Sequence, residues 1–433
     1  MPKITFIGAG STVFARNVLG DAMLTPALRE SEIALFDISP TRLKESAVML
    51  TAINNNCNAS RAKIMCYSDR RKALSGANYV VCAIQVGGYE PSTVIDFDIP
   101  KKYSLRQTIG DTLGVGGIFR GLRTLPVFMD IARDMEEVCP DAWLLNYVNP
   151  MAILTGAMQR YTSVKTVGLC HSVQNCAKEI LRSVGMEHDN VQHKIAGINH
   201  MGWLLEIKRD GVDLYPEIKH RAALITGKHN DMVRHEMMKR FGYYVTESSE
   251  HNAEYLPYFI KGKYPELIER FNIPLDEYPR RCVDQIAKWD KLREELVENP
   301  ALEHTRTSEY ASYIMEAMEA NAPHSIGGNV LNTGFIPNLP SECVVEVPCM
   351  VDSFGIHGTY IGKLPEQLAA LNRTQINVQL LTIEAHMTRK REHIYHAAML
   401  DPHTSAELNI DDIVAMCDEM IEAHGDYLPR YKM

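Results

Sequence analysis

The sequence lacks the features that mark several large protein classes. No apolar run approaches the roughly 18 residues needed to cross a bilayer, so no membrane span is expected. The chain enters a strand-like segment at once, with no basic n-region, apolar h-region or cleavage site, which predicts a cytoplasmic protein. Positive charge is scarce. Lys and Arg total 45 against 54 Asp and Glu, a formal net charge of −9, and basic residues cluster in nothing longer than a triplet, such as Arg389-Lys390-Arg391. That triplet reads as a solvated helix face, and a nucleic-acid partner, which would need a basic surface, is not expected. Repeats, low-complexity tracts and Pro/Gly/Ser-rich linkers are also missing. The ten cysteines are scattered, with Cys66 and Cys82 inside strand-like apolar runs. This predicts reduced core thiols in place of a disulfide framework.

What is present is 433 residues with 45% hydrophobic content, enough for two or three domains around a substantial core. From Lys3 to about His200, short β-rich runs alternate with helical stretches: Ile4–Gly8, Glu32–Asp37, Ala62–Tyr67, Tyr79–Gln85, Trp143–Tyr147, Val164–Leu169 and Lys194–Ile198. The alternation predicts a Rossmann-like, doubly wound parallel sheet of seven strands over residues 1–195. An α+β domain over 196–433 follows, with a strand at Met201–Arg209, helices at Asp231–Gly242 and Glu266–Leu296, a loop-and-strand region at Gly327–Pro348, and helices at Leu364 to about His396 and Asp411–His424. The two-domain α/β plan resembles that of lactate and malate dehydrogenases.

Gly8-Ala9-Gly10-Ser11-Thr12 ends the first strand and opens a helix. Gly8 allows the tight turn, and Gly10 lets the backbone approach a pyrophosphate at the positive helix N-terminus. Val13 stands where the usual third glycine would be, so looser helix–strand packing is expected there. Asp37 closes the second strand, placed to accept hydrogen bonds from a ribose diol and to repel a 2′-phosphate, which favours NAD over NADP.

Cys170, His200 and Asn149 each lie just past a predicted strand's carboxyl end, the edge at which ligands collect in open α/β sheets. A thiolate and an imidazole converging there could hold a divalent metal with open coordination positions for substrate oxygens.

These pieces together resemble glycoside hydrolase family 4 over essentially the whole chain. The matching segments are Ile7-Gly8-Ala9-Gly10-Ser11, Gln85-Val86-Gly87-Gly88, Asn146-Tyr147-Val148-Asn149-Pro150, Cys170-His171-Ser172-Val173, Gly197-Ile198-Asn199-His200, and Asn338-Leu339-Pro340 with Val345-Glu346-Val347-Pro348. Cys-His-Ser-Val looks like the α-galactosidase (melibiase) subgroup. The resemblance implies a redox route, an exception to the two-carboxylate scheme of most glycosidases. NAD⁺ takes a hydride from the sugar C3, the C2 proton becomes acidic, the C1 group departs by elimination, water adds, and the hydride returns. It also implies Mn²⁺ on Cys170 and His200, Asn149 as a substrate contact, Gln85 among the nucleotide contacts, and a small α-galactoside such as melibiose as substrate. Relatives are commonly dimers or tetramers, so a homo-oligomer is expected.

The acid and base are less sharply marked. His171 matches a position where some relatives carry a proton donor, and it could instead orient the metal shell or a sugar hydroxyl. Thr246–Tyr255 is an unusually polar segment. Tyr255 is the candidate base within it, with His251 and Glu254 as alternatives and a plain solvated loop as the plainer reading. Thr108–Gly117 reads as a mobile, glycine-rich loop over the site, able to bring Asp111 to the metal, a metal-bound water or the leaving group.

Other readings stay open: another family 4 glycosidase (α-glucosidase or α-glucuronidase/galacturonidase), a hydroxy-acid dehydrogenase with Arg106 or Arg120 as carboxylate clamp, or an NAD-sensing protein without turnover.

Overall fold

The computed structural model describes residues 1–432. Its thirteen strands are β1 (Lys3–Ile7), β2 (Glu32–Phe36), β3 (Lys63–Tyr67), β4 (Tyr79–Cys82), β5 (Trp143–Asn146), β6 (Lys165–Leu169), β7 (Gln192–Ile198), β8 (Met201–Arg209), β9 (Val212–Asp213), β10 (Tyr244–Val245), β11 (His324–Leu331), β12 (Val344–Asp352) and β13 (Gly355–Gly358). All join one sheet, ordered β10-β8-β7-β12-β11-β6-β5-β4-β1-β2-β3, with β13 on β12 and β9 on β8.

Six strands, β3-β2-β1-β4-β5-β6, run parallel. They include near-continuous apolar runs because helices cover both faces; all four residues of β4 are buried. The strand order reverses between β1 and β4, the switch point at which this architecture opens a crevice. The fold is therefore Rossmann-like, with an α+β part following it.

The seventh expected strand is a correction. β7 does belong to the sheet, but it does not extend the parallel set. β11 pairs antiparallel with β6, β12 with β11, and β7 with β12, so two strands from late in the chain lie between β6 and β7. Local pattern shows that Lys194–Ile198 is a strand but does not show its neighbour.

The helical expectations need smaller corrections. Glu266–Leu296 is two helices, Glu266–Arg270 and Glu277–Leu296, interrupted around Pro274. Thr108–Gly117 is not a free loop: Gly114–Gly117 opens the 25-residue helix Gly114–Val138, and Gln107–Gly117 is buried throughout. Cys82 is buried as expected, whereas Cys66 is exposed on the edge strand β3; all ten cysteines are unpaired. Among the described residues, no helix is long and apolar enough to cross a membrane.

Candidate active site

The glycine turn is built as its sequence requires. Gly8 has φ +90°, and a Cβ there would lie 2.2 Å from the Ala83 carbonyl oxygen, so only glycine fits. The N–H groups of Gly8 and Ala9 donate to the Phe36 carbonyl at 3.0 and 3.1 Å, tying the turn to β2. Gly10 donates its N–H to Asp37 Oδ2 at 2.6 Å, while Oδ1 accepts from the Ser39 N–H at 2.8 Å. Asp37 and the turn thus form one unit. Ser11 is exposed ahead of the helix Thr12–Leu24 and makes no side-chain cap. Thr12 is buried under the turn, accepting from Ser46 Oγ at 3.2 Å. Val13 is exposed, so it does not wedge the helix from the sheet, contrary to expectation. Gln85 follows β4 and donates to Thr93 Oγ1 at 3.3 Å.

Cys170 is the first residue past β6, and His171 precedes the helix Ser172–Ser183. His200 sits in the turn joining β7 to β8 at φ +62°, a left-handed conformation uncommon for a non-glycine residue. Since β7 runs antiparallel to β12, His200 does not reach the site from a parallel carboxyl edge. It arrives through this strained turn.

The two side chains nevertheless converge, and a third joins them. One donor atom each from Cys170, His200 and Glu247 lie within 4.8 Å of one another. His200 Nε2 is 3.4 Å from Glu247 Oε2, and its Nδ1 is 3.0 Å from the Tyr255 hydroxyl. Burial opposes charge on His200, but Glu247 and the Cys170 sulfur outweigh it and push the imidazole up to about 10. The surroundings of His200 thus favour positive charge at the imidazole, which a proton or a metal could carry. Thiolate, imidazole and carboxylate suit a divalent transition metal.

Further groups surround this cluster. Glu247 Oε1 lies 3.4 Å from His251 Nδ1, and His251 Nε2 lies 4.0 Å from Asp111 Oδ1. Asp111 Oδ2 accepts from Asn149 Nδ2 at 3.4 Å, and Oδ1 accepts from Thr112 Oγ1 at 2.7 Å. Burial works against ionisation of Asp111, yet Arg120, His251 and His200 hold it below the usual carboxylate range. Tyr255 is wholly buried, which pushes its phenol well above its ordinary value.

Thr246–Tyr255 is not a solvated loop. It ends in the buried helix Ser249–Tyr255, capped by Ser248 Oγ on the His251 N–H. Glu254 is anchored to the backbone of the neighbouring segment: its carboxylate accepts from the N–H groups of Thr108 (2.7 Å), Ile109 (3.2 Å) and Gly110 (2.8 Å). Burial nevertheless pushes it up to about 7 against the hydrogen bonds from Gly110 and Thr108. His171 stands apart, half-exposed, with Nε2 2.7 Å from Glu309 Oε2. Rings connect it to the nucleotide end: Phe14 packs on Tyr147 at 4.6 Å, and Tyr147 lies 6.1 Å from His171. The expected carboxylate clamp is compromised, since Arg106 pairs with Asp276 at 2.7 Å. Arg120 is buried beside Tyr278, 3.3 Å from its hydroxyl.

Sequence reasoning missed Glu247 and Glu309. Glu247 was visible only as one of three glutamates in a polar segment, and its left-handed backbone, φ +64°, has no sequence signal. Glu309 is separated from its partner by 138 positions.

Residues 3–186 match the family described as Family 4 glycosyl hydrolase, and residues 195–404 match its C-terminal domain. The chain is 65% identical over 433 residues, covering 100% of both proteins, to an alpha-galactosidase of Bacillus subtilis (strain 168). Among solved structures, a 6-phospho-alpha-glucosidase from gut microorganisms in complex with NAD and Mn²⁺ is similar in fold, with a TM-score of 0.83, 21% identity and 100% coverage of both chains. The malate dehydrogenase of Cryptosporidium parvum has a TM-score of 0.53 at 15% identity, covering 89% of this chain and 99% of its own. With both halves matched in sequence and the glycine turn and the Cys170–His200–Glu247 cluster in place, the chain belongs to the family 4 glycosyl hydrolases.

Proposed function

We propose that this protein is an α-galactosidase that cleaves small α-galactosides such as melibiose with the help of NAD and a divalent cation, Mn²⁺ by preference. The observation that carries the reading is the convergence of Cys170, His200 and Glu247 beside Tyr255 and Asp111, in a chain 65% identical to an α-galactosidase. When bound, NAD would supply reversible hydride transfer and the cation would supply Lewis-acid polarisation of the sugar.

The chain's own residues divide the remaining work. Gly8, Gly10, Ser11 and Thr12 form the pyrophosphate turn, Asp37 takes the ribose, and Gln85 borders the nucleotide. Cys170, His200 and Glu247 hold the cation, and Asn149 and Asp111 meet sugar hydroxyls or the departing group. Tyr255 serves as base for the C2 proton. Burial and the carboxylates of Asp111, Glu254 and Glu247 hold the phenol in its protonated form, so the role requires the phenol to lose its own proton before it accepts the one from C2. His171, gripped by Glu309 through Nε2, offers its other ring nitrogen to the leaving oxygen.

Residues 1–195 are assigned to nucleotide binding and 196–433 to substrate binding and self-association. A cytoplasmic setting agrees with the ten unpaired cysteines. A homodimer or homotetramer agrees with apolar Val283 and Ile286 exposed on the helix Glu277–Leu296.

The test is incubation with a chromogenic α-galactoside, NAD⁺, Mn²⁺ and thiol, alongside the α-glucoside. Aglycone release from the galactoside without net NADH is the expected result. Stoichiometric NADH marks a dehydrogenase, preference for the glucoside another family 4 specificity, and no reaction a binding protein. Cys170→Ser should abolish turnover and leave NAD affinity intact; full activity of that variant at saturating Mn²⁺ removes the metal assignment.

A further inference from the structure

β6 and β7 carry the chain into Cys170 and His200, yet they are not neighbours. Three inter-strand steps separate them, β6-β11-β12-β7, and at roughly 4.8 Å per step the strands stand about 14 Å apart. Donor atoms within 4.8 Å of one another must therefore be reached from both sides of a two-strand gap. Whatever sets the width and shape of that gap sets the metal geometry.

A single register row crosses it. Gly168 pairs with Asn329, Asn329 with Glu346, and Glu346 with Gly197. The side chains follow the row. Asn329 Nδ2 donates to the Gly168 carbonyl at 3.3 Å and to Glu346 Oε1 at 2.9 Å, and Asn199 Nδ2 donates to the same Oε1 at 3.4 Å. The chain of hydrogen bonds starts two residues before Cys170 and ends one residue before His200. Glycine at the Gly168 end keeps this crossing open, since a Cβ there would fall 2.6 Å from Met151 Sδ, 2.7 Å from Thr155 Oγ1 and 2.9 Å from Asn329 Cβ.

The row is costly for the fold. Glu346 and Asn329 are fully buried, and Glu346 Oε2, Asn329 Oδ1 and Asn199 Oδ1 accept no protein hydrogen bond. No Lys or Arg pairs with Glu346, and burial pushes its carboxyl up to about 7. Stability alone favours apolar residues at such positions. A buried polar bridge against that trend, running between two ligand-bearing segments, has the character of an outer shell that aims ligands.

We propose that Glu346 and Asn329 are positioning residues that fix the spacing of Cys170 and His200 across the β11–β12 gap, and so determine divalent-metal affinity without touching the metal. This rests on the Cys170–His200 metal reading. It goes beyond that reading by assigning the geometry to two strands from the far end of the sequence.

The test measures metal binding directly, by Mn²⁺ titration calorimetry and by the thiolate-to-Co²⁺ charge-transfer absorbance that reports Cys170 ligation, with NAD affinity and melting temperature alongside. Glu346→Leu and Asn329→Ala each break one link and should weaken Mn²⁺ binding by about tenfold or more and shift or erase the Co²⁺ band, with NAD affinity unchanged. Glu346→Gln keeps an acceptor oxygen and should stay within about threefold of wild type. Wild-type metal affinity and an unaltered Co²⁺ band in both link-breaking variants would overturn the proposal. So would a tenfold loss in Glu346→Gln, because charge and not the bridge would then be responsible; this arm decides if the other two variants do not fold. An absent thiolate band in the wild type, or one that persists in Cys170→Ser, would instead defeat the parent metal reading.

Discussion

His171 Nε2 lies 2.7 Å from Glu309 Oε2, a half-exposed imidazole held by a buried carboxylate from 138 positions further along the chain. The hydrogen bond to Glu309 raises the imidazole's proton affinity, with burial opposing it. An acid held by a carboxylate keeps one tautomer and one orientation, as a donor to a departing oxygen requires.

Glu309→Gln should therefore act according to the leaving group. General-acid help is worth roughly 10²–10⁴-fold in total, and losing the orienting carboxylate should remove about 10–100-fold of it from kcat on an alkyl galactoside. A nitrophenyl galactoside, whose leaving group needs little protonation, should lose about threefold or less. Equal losses on both substrates would show that Glu309 supports only the local fold.

Glu254 makes a second prediction through Asp111. Its carboxylate gathers the N–H groups of Thr108, Ile109 and Gly110, fixing the segment that carries Asp111 beside His251. Glu254→Ala leaves three buried donors without an acceptor, at a cost of about 2–5 kcal/mol. Amide exchange at residues 108–110 should accelerate and kcat should fall at least about tenfold, since misplacing a catalytic group is costly, with NAD affinity preserved. Unchanged exchange at those amides would dismiss the clamp.

His386 supplies a pH prediction away from the site. Burial, reinforced by Arg389, lowers this imidazole to about 4. The unfolded chain takes up the proton near pH 6.5 and the folded chain only near pH 4, so the unfolded state binds more protons between those values. Stability is present above pH 6.5 and lost as pH falls toward 4, by about 3 kcal/mol at most. In urea melts, His386→Gln should show a shallower loss over that window. Parallel curves for wild type and variant would place the acid sensitivity elsewhere.

Sequence pattern reached some of this and not the rest for definable reasons. The turn that ties Gly8 and Gly10 to Asp37 was legible because it is local: strand, turn and helix lie within one short segment, and the second strand ends on the acid. Cys170 was legible for the same reason, at the end of a parallel strand. His200 was identified from its place after an apolar run, but the geometric reason was wrong, because β7 runs antiparallel beyond two inserted strands. Nothing in residues 192–198 encodes that β12 will pair there. Glu247 and Glu254 differ in role only through what packs on them, a histidine pair in one case and three backbone amides in the other. Spacing along the segment does not reveal either partner.

The late insertion of β11 and β12 also sets a timetable for biosynthesis. Cys170 and His200 have both left the ribosome well before residues 324–352, which close the gap between their strands, have been translated. Until the final quarter of the polypeptide emerges, the thiol and the imidazole remain unjoined. A nascent chain stalled before that point would carry Cys170 without the two strands that span the distance to His200.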